Sequence, residues 1–205
     1  MTEPAPCAVV LAAGAGSRFG SDKLLAPFRG RPLIAHVAAT IAQAILAGEL
    51  AGGVAIVPPR ASALIWALET AGLRLIENRD TTSGLATSLR LGLAALDEVL
   101  PRAESALVVL ADQPLLSVET IALLVAAWRR NRLSVRPRYA RELDIPGHPV
   151  LLDRAVWPMT EGLTGDTGLG PLFRHHPASI SIIDVPGANP DVDRPADLQS
   201  LEESR

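Results

Sequence analysis

Short apolar runs alternate with longer amphipathic segments along this 205-residue chain, and this alternation constrains the fold more than any other feature. The apolar runs predict buried strands at 7–13, 53–58, 73–78 and 105–112. Helical periodicity predicts helices at 32–48, 60–72, 83–100 and 117–131. Such alternation predicts a mostly parallel sheet covered on both faces, in a Rossmann-like, doubly wound α/β fold with three α/β/α layers. Ligands in these folds bind beyond the carboxyl ends of the strands.

The pattern loosens in the second half of the chain. Residues 133–178 are richer in proline and glycine, and we predict a less regular, substrate-side region there. A strand at 179–185 and a closing helix at 193–203 follow, with Asp193 as the N-cap of that helix. The three tryptophans, Trp66, Trp128 and Trp157, lie in helical patterns and are predicted to pack in the interior. Without repeats or a low-complexity linker, the chain is predicted to form one domain, 1–205.

The composition is typical of a globular protein and narrows the choice of partners. Hydrophobic residues make up 48% of the chain, and a net charge of −3 gives no overall attraction to nucleic acid or anionic membranes. Cys7 is the only cysteine, which excludes an intramolecular disulfide or a multi-cysteine metal site. Residues 1–6 contain no basic side chain and do not resemble a secretory signal. We therefore expect a cytoplasmic protein with no nucleic-acid or membrane partner.

A glycine-rich loop follows the first predicted strand. It interleaves Gly14, Gly16 and Gly20 with Ser17, Arg18 and Lys23. Glycines allow successive backbone N–H groups to form an anion cradle, and Arg18 and Lys23 can neutralise a polyphosphate. Lys23 is the only lysine among 19 Lys+Arg residues, and an ammonium is a compact point charge with three donors, whereas a guanidinium is planar and bulkier. The alternative is a glycine-rich turn that serves packing alone.

Two common phosphate-binding motifs fit this loop poorly. A P-loop requires serine or threonine after its lysine, but Leu24 follows Lys23. A dinucleotide-binding fingerprint requires G-x-G-x-x-G and an acidic residue at the end of the second strand. Here the third glycine, Gly20, comes one residue late, and the second strand ends in Pro58. A nicotinamide-dependent dehydrogenase is therefore disfavoured.

The stretch LAAGAGSRFGSDKLLAPFRGRPL, residues 11–33, resembles the signature of nucleotidyltransferases that use a nucleoside triphosphate to make a dinucleotide or a sugar nucleotide. The resemblance implies that the strand-loop backbone holds the base and triphosphate and that Arg18 and Lys23 contact the phosphates. It also implies that an aspartate after a later strand holds magnesium. Asp112, in VVLADQPLLS, occupies that position.

Further motifs resemble the molybdenum cofactor cytidylyltransferases, which transfer CMP from CTP to molybdopterin. They are SGLATSL at 83–89, LADQPLL at 110–116, GHP at 147–149 and GDTGLG at 165–170. The related guanylyltransferases typically have LAGG where this chain has LAAG. The chain departs from the family at Gln113, where methionine is common, and in DTGLG, where D-x-G-A-R is commoner.

The candidate site residues fall into four groups. The catalytic candidates are Arg18, Lys23 and Asp112, and the metal ligands predicted to hold Mg²⁺ are Asp112 and Asp193. The nucleotide-binding candidates are Leu11, Ala12, Ala13, Gly14, Gly16, Ser17, Arg18, Lys23, Gly84 and Ser88. The substrate-binding candidates are Gly147, His148, Pro149 and Asp166. Asp112 and Asp193 could instead cap helices, and Gly84 and Ser88 could simply begin one.

The expected reaction is Mg²⁺-dependent transfer of CMP from CTP to molybdopterin, with release of pyrophosphate. A phosphate monoester oxygen is already ionised at neutral pH, so the reaction requires in-line placement and charge neutralisation rather than a strong base. The expected partners are CTP and molybdopterin, with transient contact to a molybdenum hydroxylase or its chaperone. The alternatives are a guanylyltransferase using GTP, a nucleotidyltransferase acting on another sugar or alcohol phosphate, and a nucleotide-binding cofactor chaperone without turnover.

Overall fold

A computed structural model describes residues 5–14, 19, 23–142 and 147–203. The strands are β1 (Cys7–Leu11), β2 (Pro27–Phe28), β3 (Arg31–Pro32), β4 (Gly53–Val57), β5 (Arg74–Glu77), β6 (Ser105–Leu110), β7 (Ser134–Tyr139), β8 (Val150–Asp153) and β9 (Ile180–Val185). The α-helices are α1 (Leu33–Leu46), α2 (Ser62–Glu69), α3 (Leu85–Val99), α4 (Val118–Asn131), α5 (Gly170–His175) and α6 (Pro195–Glu203). Short 3₁₀ helices include Lys23–Leu25, Thr81–Ser83 and Arg154–Gly162.

Seven strands form one sheet in the order β5-β4-β1-β6-β8-β7-β9. Strands β5, β4, β1 and β6 are parallel, and β8 runs antiparallel to both β6 and β7. β9 pairs in parallel with β7, while β2 and β3 form a separate antiparallel pair. This arrangement confirms the predicted mostly parallel α/β sheet.

Helices cover both faces of the sheet, which explains why the central strands are apolar throughout. All five residues of β1 and all five of β4 are buried. One core joins α1, α2 and α4 to one face, around Ile41, Leu68 and Trp128. A second core joins α3, the Arg154–Gly162 helix and α5 to the other face. Because β1 and β6 are adjacent and parallel, the loops after them meet at one edge of the sheet.

Strands β7 and β8, which were not predicted from the sequence, both lie within the region expected to be less regular. β7 reads SVRPRY, with two arginines and Pro137, and β8 has only four residues, so neither shows a strand-like apolar run. Pro137 is tolerated because β7 pairs with β8 at a single register position, Val135 with Leu151.

The structure tests the prediction that the three tryptophans pack in the interior. Trp128 and Trp157 are buried as expected, but the prediction for Trp66 is wrong, since its residue is 73% exposed on the outer side of α2. Among the described residues, no helix is long and apolar enough to cross a membrane.

Candidate active site

The end of β1 supplies the first part of the site. Leu11, Ala12 and Ala13 are buried and Gly14 is exposed. The Ala12 N–H donates to the Ile56 carbonyl of β4 at 2.8 Å, and the Leu11 carbonyl accepts from the Ala111 N–H after β6 at 3.2 Å. The predicted nucleotide-binding backbone is therefore held between two strands. The predicted contacts at Gly16, Ser17 and Arg18 lie outside the described residues.

Lys23 lies at the centre of the candidate site. Its Nζ donates to Asp112 Oδ2 at 2.7 Å and to Asp193 Oδ1 at 3.2 Å. Burial lowers the pKa of the Lys23 ammonium, but the hydrogen bonds and charges of Asp112 and Asp193 outweigh burial and raise that pKa above its usual value. Lys23 is therefore positively charged at neutral pH. The structure thus brings together three of the predicted catalytic and metal-binding residues.

Asp112 has one carboxylate oxygen engaged and one available. Its Oδ1 is buried and has no hydrogen-bond partner within the described part of the chain. The alternative role of Asp112, as cap of the following helix, does not hold, since the Ser117 hydroxyl accepts from the Thr120 N–H at 3.1 Å and caps α4. A buried carboxylate oxygen without a donor is costly unless a cation binds it. Asp112 is therefore suited to hold a metal ion.

Asp193 reaches the site from the loop before α6. The Val192 N–H donates to the Asp112 carbonyl at 3.1 Å, which fixes this loop against the end of β6. The Asp197 carboxylate accepts from the Asp193 and Arg194 N–H groups at 2.8 and 2.7 Å. Asp197 thus serves the N-terminus of α6, while the Asp193 carboxylate points to Lys23.

A buried amide network, missed by the sequence analysis, surrounds these carboxylates. Gln113 Nε2 donates to Asp191 Oδ1 at 2.7 Å, and Gln113 Oε1 accepts from Asn189 Nδ2 at 3.2 Å. Desolvation and the Asp112 charge raise the pKa of Asp191, and the bond from Gln113 partly offsets them. The signal in the sequence is the alternation of Asn189, Asp191 and Asp193 in NPDVD after the last strand.

Replacement of Gln113 by methionine, Gln113→Met, should lower the free energy of unfolding by about 1–3 kcal/mol, because it removes the bond to the Asp191 carboxylate and one of the two bonds that the buried Asn189 Nδ2 donates. Urea unfolding measures this change. Thr40→Val is the matched control, since it removes one bond, from Thr40 Oγ1 to the Leu116 carbonyl, without touching the network. An unfolding free energy for Gln113→Met equal to that of the wild type would show that the network contributes nothing.

The predicted substrate-side segment, Gly147, His148 and Pro149, joins this network. The His148 carbonyl accepts from the Tyr139 hydroxyl at 2.8 Å and from Asn189 Nδ2 at 3.3 Å. A Cβ on Gly147 would come within 2.8 Å of the Tyr139 ring. Burial and then the charge of Arg136 lower the pKa of His148 to about 4, so its imidazole is neutral at neutral pH. Asn189 therefore links this segment to Gln113, the residue that follows Asp112.

Gly84, Ser88 and Asp166 form a second group, at the start of α3. Gly84 has φ +83, and a Cβ there would be 2.3 Å from the Gly165 carbonyl carbon. The Ser88 hydroxyl is buried and accepts from Asn78 Nδ2 at 3.0 Å, while Asp166 is exposed. These contacts give Gly84 and Ser88 roles in packing, and their contact with a nucleotide stays a prediction.

Comparison with known proteins identifies the family of this chain. A family model described as the MobA-like NTP transferase domain matches residues 8–180. The chain belongs to this family. The resemblance to nucleotidyltransferases is thereby confirmed, and this MobA-like protein is a nucleotidyltransferase.

Individual relatives of this MobA-like protein agree over nearly its whole length. A protein named nicotine blue oxidoreductase, from Paenarthrobacter nicotinovorans, is 34% identical over 188 residues, which cover 87% of each chain. The crystal structure of Rv0371c from Mycobacterium tuberculosis H37Rv has a TM-score of 0.83 and 30% identity, covering 100% of each chain. The structure of Rv0371c complexed with manganese has a TM-score of 0.78 and 26% identity, covering 98% of this chain and 100% of that one.

Proposed function

We propose that this protein transfers CMP from CTP to the terminal phosphate of molybdopterin and releases pyrophosphate, with Mg²⁺ as its metal. One observation carries the proposal: Lys23, Asp112 and Asp193 converge at the edge of the sheet where the glycine-rich loop begins. This edge combines a positively charged lysine with two carboxylates. A metal–triphosphate substrate requires both, because the carboxylates bind the metal ion and the cation neutralises the phosphates. The cytidylyltransferase-like motifs in the sequence favour CTP and molybdopterin over other substrates.

The residues present fit a divalent metal ion. Asp112 Oδ1 is buried without a hydrogen-bond partner among the described residues, and Asp112 Oδ2 and Asp193 Oδ1 both face the Lys23 ammonium. Hard carboxylate oxygens are the ligands that Mg²⁺ prefers, and one or two are enough when phosphates and waters complete the shell. Asp112 and Asp193 would hold the ion, which would supply charge neutralisation on the triphosphate. The manganese complex of Rv0371c is consistent with a divalent ion in a relative.

The protein's own groups bind and orient the two reactants. The backbone after β1 holds the nucleotide, and Arg18 and Lys23 contact its phosphates. The Gly147–Pro149 segment, held by Tyr139 and Asn189, positions the phosphate of the acceptor. Its oxygen attacks the α-phosphorus of CTP, the bond to the β-phosphate oxygen breaks, and pyrophosphate leaves. No side chain has to remove a proton, so placement and charge provide the catalysis.

A pyrophosphate-release assay tests this function directly. We expect release from CTP in the presence of Mg²⁺ and molybdopterin, at least about tenfold faster than from GTP, ATP or UTP, since selection for one base by specific hydrogen bonds is worth this much or more. Faster release from GTP would indicate a guanylyltransferase. Activity on a sugar or alcohol phosphate instead of molybdopterin would indicate another branch of the family. Tight CTP binding without release would favour a cofactor chaperone.

The relative named nicotine blue oxidoreductase favours a second candidate function, a redox reaction on an organic substrate. The glycine-rich loop departs from the dinucleotide fingerprint, and Lys23 with two carboxylates suits a triphosphate better than a nicotinamide dinucleotide. Oxidation of NADH or NADPH by the purified protein, with nicotine blue as the acceptor, would favour the second candidate. The cytoplasmic location and the transient contact with a molybdenum hydroxylase or its chaperone stay predictions.

A further inference from the structure

We propose that Lys23 occupies the cation position of the site in the nucleotide-free protein, and that the divalent metal enters only as a metal–triphosphate complex. On binding, the Lys23 ammonium leaves the two carboxylates and moves to the phosphates. This inference rests on the proposed function, because it assumes that Asp112 and Asp193 are the metal ligands.

The geometry shows that the cation position is already filled. Asp112 Oδ2 and Asp193 Oδ1 belong to residues 81 positions apart, yet both lie within 3.2 Å of the same Nζ atom. The Lys23 side chain is only 12% exposed, so solvent screens its contact with Asp112 weakly, whereas the Asp193 side chain is half exposed. A metal ion bound by both oxygens would need the space that the ammonium occupies, and two cations in that space would repel each other. Lys23 must therefore leave before a metal can bind Asp112 Oδ2 and Asp193 Oδ1 together.

The number of carboxylates explains why the nucleotide has to accompany the metal. Within the described residues, no group of three or more His, Cys, Asp or Glu side chains is arranged to hold a metal ion. Asp112 and Asp193 carry two negative charges, of which the Lys23 ammonium neutralises one. A free divalent ion would gain only two protein ligands and would have to displace that ammonium. A triphosphate supplies the missing oxygen ligands and, at the same time, new partners for Lys23.

The exchange also explains why this position carries the only lysine of the chain. A guanidinium binds a carboxylate with two parallel hydrogen bonds and would hold Asp112 or Asp193 more firmly. An ammonium on a flexible four-carbon stem makes no such fork and can turn from carboxylate to phosphate. Lys23 begins the 3₁₀ helix Lys23–Leu25, and its ammonium reaches both carboxylates from there.

Mn²⁺ binding without nucleotide tests the exchange by a readout independent of turnover. The free Mn²⁺ signal in electron paramagnetic resonance gives the dissociation constant for wild type, Lys23→Met and Arg74→Met. We expect Lys23→Met to bind Mn²⁺ about 10- to 100-fold more tightly than wild type, the effect that removal of one adjacent like charge typically has. Arg74→Met, which removes an exposed positive charge at the start of β5, should match wild type.

Two further measurements make the result decisive. The gain in Lys23→Met should disappear in the double variant Lys23→Met/Asp193→Asn, since the metal then lacks one ligand. In wild type, Mn²⁺ should strengthen CTP binding in calorimetry at concentrations where Mn²⁺ alone does not bind. If the methionine variant is unstable by circular dichroism, Lys23→Gln, which keeps a polar tip, provides the same comparison.

The inference is overturned if Lys23→Met binds Mn²⁺ no more tightly than wild type, or if its gain persists without Asp193. It is also overturned if neither protein binds Mn²⁺. Failure of the proposed function is a different result: no triphosphate would release pyrophosphate in wild type, although Lys23→Met still gained Mn²⁺ affinity through Asp193.

Discussion

Replacement of Asp112 by asparagine, Asp112→Asn, should reduce pyrophosphate release from CTP by about 10²- to 10³-fold. Removal of one preorganised group that stabilises transition-state charge commonly costs this much, and Asp112 both contacts Lys23 and has a second oxygen suited to a metal. Asparagine has nearly the same shape as aspartate. The substitution also removes the Asp112 charge, which helps to raise the pKa of Asp191. The fold should therefore persist while the activity is lost. Steady-state assays at saturating Mg²⁺, with urea unfolding, measure both effects.

Asp97→Asn is the matched control for this prediction. Asp97 lies on α3 and pairs with Arg154, on the face of the sheet that carries the Arg154–Gly162 helix. Loss of that exposed pair should change stability by less than about 1 kcal/mol and leave the rate of pyrophosphate release unchanged. If Asp112→Asn retained activity within tenfold of the wild type, the carboxylate would not hold the metal, and the site would have to be sought elsewhere.

The parallel half of the fold could be predicted because its strands carry a strong and local signal. β1 and β4 are buried on both faces, so their sequences are uninterrupted apolar runs, and the predicted strands begin at the same residues as the observed ones. The antiparallel strands were missed for the opposite reason. β7 contains Arg136 and Arg138, whose polar atoms bond to Gly147 and Asp184, and these contacts exist only in the folded sheet.

The candidate site likewise contains some residues that could be predicted from the sequence and others that could not. Lys23 and Asp112 could be predicted because each follows a strand of the parallel sheet, and the carboxyl ends of parallel strands meet at one edge. The direct contact between them could not, since the sequence analysis expected Lys23 at the phosphates. Gln113 and its partners Asn189 and Asp191 lie 76 and 78 positions apart. Their amide and carboxylate groups come together only because the loop before α6 packs against the end of β6 in the folded protein.

Gly84→Ala should destabilise the protein by about 3 kcal/mol or more, because two separate penalties add. Gly84 has φ +83 and ψ −174, a region essentially restricted to glycine, and alanine there costs about 1–3 kcal/mol. The added Cβ would also lie 2.3 Å from the Gly165 carbonyl carbon and 2.6 Å from the Asp166 nitrogen, and crowding of this kind costs about 1–3 kcal/mol. The Ala86 N–H donates to the Gly165 carbonyl at 3.1 Å, so the two backbones cannot separate without losing that bond. Urea unfolding measures the loss.

Gly72→Ala separates the two penalties, since Gly72 has φ +73 but a Cβ there would meet nothing within 4 Å. It should cost only the penalty of a positive φ, about 1–2 kcal/mol. An equal loss in both variants would show that the approach of Gly165 imposes no constraint. If Gly84→Ala weakened CTP binding and left the unfolding free energy unchanged, Gly84 would serve the nucleotide and not the packing of α3. A loss of stability larger than that of Gly72→Ala assigns Gly84 to the joint between α3 and the 165–166 loop, which carries the predicted substrate-binding residue Asp166.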